Sequence, residues 1–286
     1  MSDIAAVDDL HYRRLDRDDL AAAHRLSQQV QWPHRLEDWA LVLGVGDGVV
    51  ALIDGQVVGT AMYWRYGVDF ATLGMVIVTP ERQGRGIGRR LMSDVIEALG
   101  TRSIQLNATQ AGQPLYESMG FAAVGGVRQH QGVALNVPIG PLAPGERIRP
   151  VGPGDEATVA ALDGKATGLS RLRVLSALGE AAQGVLLERD GETVGFALCR
   201  RFGRGYSIGP VVAPDEAGAK ALIGHWVGSH AGMFMRIDVP DGGGLSNWLE
   251  EFGLARASGV VTMVRGRPPR PGVGTKLFAL VNQALG

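Results

Sequence analysis

Val76-Ile77-Val78-Thr79-Pro80-Glu81-Arg82-Gln83-Gly84-Arg85-Gly86-Ile87-Gly88-Arg89-Arg90-Leu91 is the stretch from which the rest of the chain can be read. Valine and isoleucine suit a buried, pleated strand. Pro80 ends that strand because it has no N–H for a ladder. From Ile87 the apolar residues Ile87, Leu91, Met92, Val95, Ile96 and Leu99 recur at the spacing of one helix face. The loop amides around Gly84, Gly86 and Gly88 therefore fall at a helix N-terminus, where several N–H groups lack intrahelical partners. Such donors, at the positive end of the helix dipole, make an anion site, and glycine lets a phosphate approach the backbone.

Two other glycine-loop patterns fit less well. No lysine follows the loop, as a Walker A sequence requires, and Arg89 stands where a dinucleotide fingerprint needs its third glycine. What is present is Gln-x-x-Gly-x-Gly, from Gln83 to Gly88, after a Val-x-Val-x-Pro strand. This resembles motif A of the GNAT acyltransferase superfamily, whose loop grips the pyrophosphate of acyl-coenzyme A. Pro114-Leu115-Tyr116-Glu117-Ser118-Met119-Gly120-Phe121 is similar to the Leu-Tyr-x-x-x-Gly-Phe segment near the end of GNAT domains. Between the two, Ser103-Ile104-Gln105-Leu106-Asn107 alternates like a strand. The resemblance runs from about Leu10 to Val137, with both motifs in the family's order.

The resemblance implies a mixed α/β fold: a twisted, mostly antiparallel sheet flanked by helices, with a splayed central strand pair that admits the pantetheine arm. It implies acetyl-CoA, or another acyl-CoA, as cosubstrate and no metal. The binding residues would be Val76, Ile77, Val78, Gln83, Gly84, Arg85, Gly86, Ile87, Gly88, Arg89 and Asn107. The backbone of Val76 and Val78 would meet the pantetheine, and the Val78 N–H would polarise the thioester carbonyl, a role worth about 3 kcal/mol in a barrier. Tyr116 would be the general acid for the departing thiolate, with Asn107 beside the reacting centre. A phenol near 10 is still protonated where a thiol near 8.5 has begun to ionise.

The 286 residues suffice for two ordinary domains, and an internal duplication divides them. Gly48–Ala61 reads like Gly184–Ala197 at a constant offset of 136 residues, so that Asp54-Gly55 falls on Asp190-Gly191. Each copy reads as strand, Asp-Gly turn, strand. A period this long means two related domains. Pro138-Ile139-Gly140-Pro141-Leu142-Ala143-Pro144-Gly145 is a connector, placing a catalytic domain at 1–140 and a diverged GNAT-like domain at 141–286. In the second copy the loop has become Asp215-Glu216-Ala217-Gly218-Ala219-Lys220, and two carboxylates oppose an anion there. Leu249 replaces the tyrosine. The second copy is expected to keep the fold, bind no acyl-CoA and serve a structural or substrate-gating role. Thr275 to Leu285 is expected to be a closing helix.

A formal net charge of −1 gives no general drive toward nucleic acid or an anionic membrane. Cys199 is the single cysteine, which suits a reducing cytosol, and no segment reads as a signal peptide or membrane span. The expected partner is a small-molecule amine, and the chain is expected to be a monomer with an internal pseudo-dimer, or a homodimer. Trp32, Trp39 and Trp64, with Tyr63 and Tyr66 nearby, are candidates for the acceptor pocket by packing and cation–π contact. His34, Glu37, Asp38, Asp69 and His130 are candidates for the general base by type alone. Two readings stay open beside the small-molecule enzyme: an acyl-CoA sensor, and an acetyltransferase of protein lysines or N-termini. Retention of Tyr116 beside an intact loop favours an enzyme over a sensor.

Overall fold

The computed structural model describes residues 9–136 and 142–286. The boundary read at residues 140 and 141 lies outside them. Contacts divide the chain into two compact units, one holding the residues up to Trp64 with Leu73–Thr101, the other Arg65–Thr72 with Arg102–Gly286.

The first unit carries β1 (Leu10–Arg14), α1 (Leu20–Gln29), α2 (Leu36–Val45), β2 (Asp47–Ile53), most of β3 (Gln56–Tyr66) and of β4 (Phe70–Val78), and α3 (Ile87–Leu99). Its strands neighbour one another in the order β1-β2-β3-β4. The β2–β3 hairpin turns at Asp54-Gly55, whose φ angles of 50° and 76° are those of a tight hairpin turn. Helix α3 buries Ile87, Leu91, Met92, Val95 and Leu99, each stabilising by about 2 kcal/mol when removed from water. Gly59 permits this close packing, because a Cβ there would stand 3.0 Å from Leu91 Cδ1 and 3.1 Å from the Ile77 carbonyl oxygen.

The second unit holds β5 (Ser103–Ala108), α4 (Gln113–Glu117), β6 (Ala122–Val133), β7 (Glu146–Pro150), α5 (Glu156–Thr167), α6 (Leu172–Ala181), β8 (Gln183–Arg189), β9 (Glu192–Phe202), β10 (Gly205–Ala213), α7 (Glu216–Ser229), β11 (Phe234–Pro240), α8 (Leu245–Glu251), β12 (Ala255–Arg265) and β13 (Lys276–Ala279). Its strand order is β5-β12-β6-β11-β10-β9-β8-β7. That order shows an exchange between the two sequence copies. β6, which follows α4 in the first copy, pairs with β11 of the second from Val127↔Pro240 to Val133↔Phe234. β12, which follows α8 in the second copy, pairs with β5 of the first from Ile104↔Arg265 to Ala108↔Val261. The exchanged strands also pair with each other, with Val127 opposite Val260. Backbone ladders, more directional than side-chain packing, thus tie one copy to the other.

β10 runs parallel to β11 only over Tyr206–Ile208 and Met235–Ile237. Beyond that point Val211–Ala213 pair antiparallel with β13. The helix expected over Thr275–Leu285 is instead this strand followed by a turn. The run Leu277-Phe278-Ala279-Leu280-Val281 has no helical period, and short apolar runs are ambiguous. The backbone groups of β10 beyond its pairing with β11 needed partners, and that decides for a strand. The described residues include no helix long and apolar enough to cross a membrane.

Candidate active site

β4 carries a local break that sets up the loop behind it. Met75 has φ of 53°, an unusual left-handed value for a side chain of its size. The buried Thr60 hydroxyl holds this residue by donating to the Met75 carbonyl at 2.8 Å. Beyond it Val76 and Val78 are half-buried and Ile77 is buried. The β4–β5 pairing covers Phe70–Thr72 against Ser103–Gln105 and ends there. Sequence reasoning missed Met75, although Gly74 inside a valine-rich strand is a bulge signal.

Pro80–Arg82 form one 3-10 turn, and Gln83 folds back so that its Nε2 donates to the Val78 carbonyl at 3.0 Å. The Gln83 side chain thus shapes the loop. Gly84 and Gly86 have φ of 75° and 82°, so a side chain at either would be strained. A Cβ at either position would meet no protein atom within 4 Å, so the surface before them is bare. Gly86 caps α3 without any side-chain acceptor. Among the described residues, the amides of Gly84, Gly86, Ile87 and Gly88 have no acceptor. Arg85 and Arg89 lie exposed on either side and add positive charge. A 13-residue helix, bare amides and flanking guanidinium groups fit the pyrophosphate of an acyl-CoA.

The other two candidates lie in the second unit. Tyr116, on α4, is 8% exposed. Its ring meets Phe121 edge-on at 6.1 Å and covers Gly112, where a Cβ would stand 3.0 Å from Tyr116 Cε2. Burial pushes its phenol up to about 12, and its hydroxyl hydrogen-bonds to no described residue. Asn107 lies on β5, two residues past the last one paired with β4. Its Nδ2 donates to the Gln283 carbonyl at 2.8 Å, and its Oδ1 accepts from the Thr262 hydroxyl at 2.8 Å. No local sequence signal links residues so distant in the chain.

The tryptophans separate into two kinds. Trp39 and Trp64 have no exposed surface; Trp39 Nε1 donates to Ser27 Oγ and Trp64 Nε1 to the Val42 carbonyl. They are satisfied core residues with nothing to offer a ligand, a correction to their reading as pocket residues. Trp32 is half-buried, with its ring edge-on to His34 at 5.8 Å. Of the candidate bases, Asp38 is buried against Arg35, Glu37 and Asp69 are exposed, and His34 accepts through its carbonyl from His24 and Gln28. His130 is buried between the Leu254 carbonyl and Ser246 Oγ. Among the described residues no group of three or more His, Cys, Asp or Glu could hold a metal ion.

The second copy differs at each corresponding point. Asp215 Oδ1 accepts from the Gly218 amide, so a carboxylate already caps α7, and Asp215 is also paired with Arg189. Both contacts hold its carboxyl below the usual range, the Gly218 amide contributing most. At the constant offset Val211, Val212 and Ala213 correspond to Met75, Val76 and Ile77, and β13 pairs with all three. The stretch of β10 that corresponds to Met75–Ile77 is thus paired by the chain itself.

Two family models, each described as an acetyltransferase (GNAT) domain, match residues 45–123 and 159–279. A Bacillus subtilis protein described as the uncharacterized N-acetyltransferase YitH is 28% identical over 96% of this chain and 97% of its own length. The holothin acyltransferase of a Pseudoalteromonas species is 24% identical over 92% of this chain and 98% of that protein. In fold, the chain is similar to a crystal structure described as a putative acetyltransferase from Pyrococcus horikoshii, with a TM-score of 0.81 at 22% identity, covering 97% of this chain and 96% of that one. With one matching domain in each half and both curated relatives spanned end to end, the chain belongs to the GNAT superfamily, as an acetyltransferase with two GNAT domains in tandem.

Proposed function

We propose that the first copy alone transfers an acetyl group from acetyl-CoA to the primary amine of a small molecule. One observation carries this reading: the first copy presents bare loop amides, while the second has a carboxylate cap at α7 and a strand paired along β10. The bound thioester supplies an activated acyl group. The amides of Gly84, Gly86, Ile87 and Gly88 hold its pyrophosphate, and Arg85 and Arg89 add charge. The backbone along Val76, Ile77 and Val78 aligns the pantetheine, and the Val78 N–H polarises the carbonyl. A neutral amine attacks directly; its nitrogen bonds to the carbonyl carbon as the carbon–sulfur bond breaks, and the nitrogen gives up one proton to solvent, balancing the proton gained by the departing thiolate. Tyr116 donates to the departing sulfur, and Asn107 contacts the cosubstrate.

Trp32 is the tryptophan left with surface for an acceptor. A small amine is favoured over a protein side chain because one relative is named for a small compound, as a holothin acyltransferase. The test is thiol release from acetyl-CoA with a panel of small primary amines beside unstructured peptides bearing lysine or a bare N-terminus. The expected result is turnover on one class of small amine. Turnover on peptides alone would transfer the reading to protein acetylation, and binding without turnover would make the chain a sensor.

A further inference from the structure

The second copy carries no cradle of its own, yet two of its residues hold a side chain of the first. Thr262 lies on the exchanged strand β12, in register opposite Asn107 on β5. Its hydroxyl meets Asn107 Oδ1 at 2.8 Å. On the other side, Asn107 Nδ2 meets the Gln283 carbonyl oxygen at 2.8 Å. These contacts fix the amide's orientation on chemical grounds. A backbone carbonyl can only accept, so the nitrogen must face Gln283; the oxygen then faces Thr262, which must donate.

The segment that brings Gln283 there is itself tied down. The Leu280 amide donates to the Asp238 carbonyl at 2.9 Å. Asn282 Oδ1 accepts from the Ala284 and Leu285 amides at 2.9 and 2.8 Å, and the Tyr66 hydroxyl donates to the Leu285 carbonyl at 2.7 Å. Gln283 Nε2 reaches Asp238 Oδ1 at 3.1 Å, and Asp238 is held by Arg236. The turn after β13 is therefore built to present one carbonyl to Asn107. The Asn107 amide spends one hydrogen on Gln283; among the described residues its second hydrogen has no partner.

We propose that Thr262 and Gln283 are positioning residues for the first copy's reaction: from the second copy, they hold the Asn107 amide so that its remaining N–H faces the bound acyl-CoA. The proposal rests on the reading of Asn107 as a cosubstrate contact. It gives the diverged copy a task that needs no acyl-CoA site, namely to hold the Asn107 amide through the exchanged strand and the closing turn.

The test uses the full chain and three variants, Asn107→Ala, Thr262→Val and Thr262→Ser, with kcat, the KM for acetyl-CoA and for the amine, and the melting temperature of each. Valine keeps the shape of threonine and removes the donor; serine restores the donor. Thr262→Val is expected to raise the acetyl-CoA KM about fivefold, the typical worth of one hydrogen bond, and leave the amine KM unchanged. Thr262→Ser is expected to return it to within about twofold, the donor being restored. A purely structural role would lower the melting temperature of both variants without this KM split. If Asn107→Ala raises the acetyl-CoA KM and Thr262→Val does not, the positioning role is overturned alone. If Asn107→Ala leaves that KM unchanged, the reading of Asn107 falls, and the proposal with it.

Discussion

Replacing Tyr116 with phenylalanine separates its chemistry from its packing. The ring is buried against Phe121 and over Gly112, and phenylalanine keeps both contacts. The hydroxyl hydrogen-bonds to no described residue, so its removal should change stability by less than about 0.5 kcal/mol. Its chemical effect is larger. Burial pushes the phenol up to about 12, while a thiol sits near 8.5. Complete proton transfer to a free thiolate would therefore lie about 5 kcal/mol uphill. Tyr116 first serves the departing sulfur as a hydrogen-bond donor, and a bond to a charged group is worth about 1.5–3 kcal/mol. At about 1.4 kcal/mol per tenfold, kcat should fall roughly 10- to 150-fold. The KM for acetyl-CoA should hold, because the ground-state thioester sulfur carries no charge to stabilise. The sign of the pH effect follows. A donor titrating near 12 stays protonated throughout the working range, so Tyr116 contributes no descending limb to kcat below about pH 10. The assay is initial-rate thiol release between pH 7 and about 9.5, beside a thermal melt. Unchanged turnover at every pH would refute the general-acid role. A loss of activity matched by a loss of folded protein would mean that the hydroxyl acts through packing.

Further outcomes test the packing. Arg171 and Asp163 form a buried ion pair at 2.6 Å, and the guanidinium also donates to the Gly286 oxygen, so Asp163→Asn, which removes the paired carboxylate and leaves that second contact, should cost about 3 kcal/mol in chemical denaturation. A change below about 1 kcal/mol would show that the site is solvated. Tyr66 is also raised to about 12, chiefly by burial. Above about pH 10 the unfolded chain sheds phenol protons that the folded chain keeps, so stability falls up to about pH 12. The slope should approach about 1.4 kcal/mol per pH unit for each of Tyr66 and Tyr116 and shrink in Tyr66→Phe; an unchanged slope would assign the alkaline loss elsewhere.

Local chemistry made part of this molecule legible. Pro80, Gly84, Gly86 and the face Ile87–Leu91–Val95 announce strand, loop and helix because each acts within a few residues. The hairpins at Asp54-Gly55 and Asp190-Gly191 were readable for the same reason, as was the carboxylate at Asp215. The exchange of β6 and β12 was not. Both strands look alike locally, and pairing partners are chosen by contacts more than a hundred residues apart in sequence. β13 was hidden because five consecutive apolar residues carry no period, and the backbone that selects them as a strand lies on β10. Trp39 and Trp64 read like pocket residues since composition does not separate an aromatic in a core from one in a binding wall. The hold of Thr262 and Gln283 on Asn107 follows from the exchange and became visible with it.

The central claim is one working copy and one that has closed its own cradle. Calorimetric titration of the purified chain with acetyl-CoA tests it most directly, through the stoichiometry. The account predicts one site per chain, lost in Gly86→Leu, which places a side chain on the bare surface at a φ of 82°. Two sites per chain would show that β13 and Asp215 do not close the second copy. No binding at all would contradict the reading of the first.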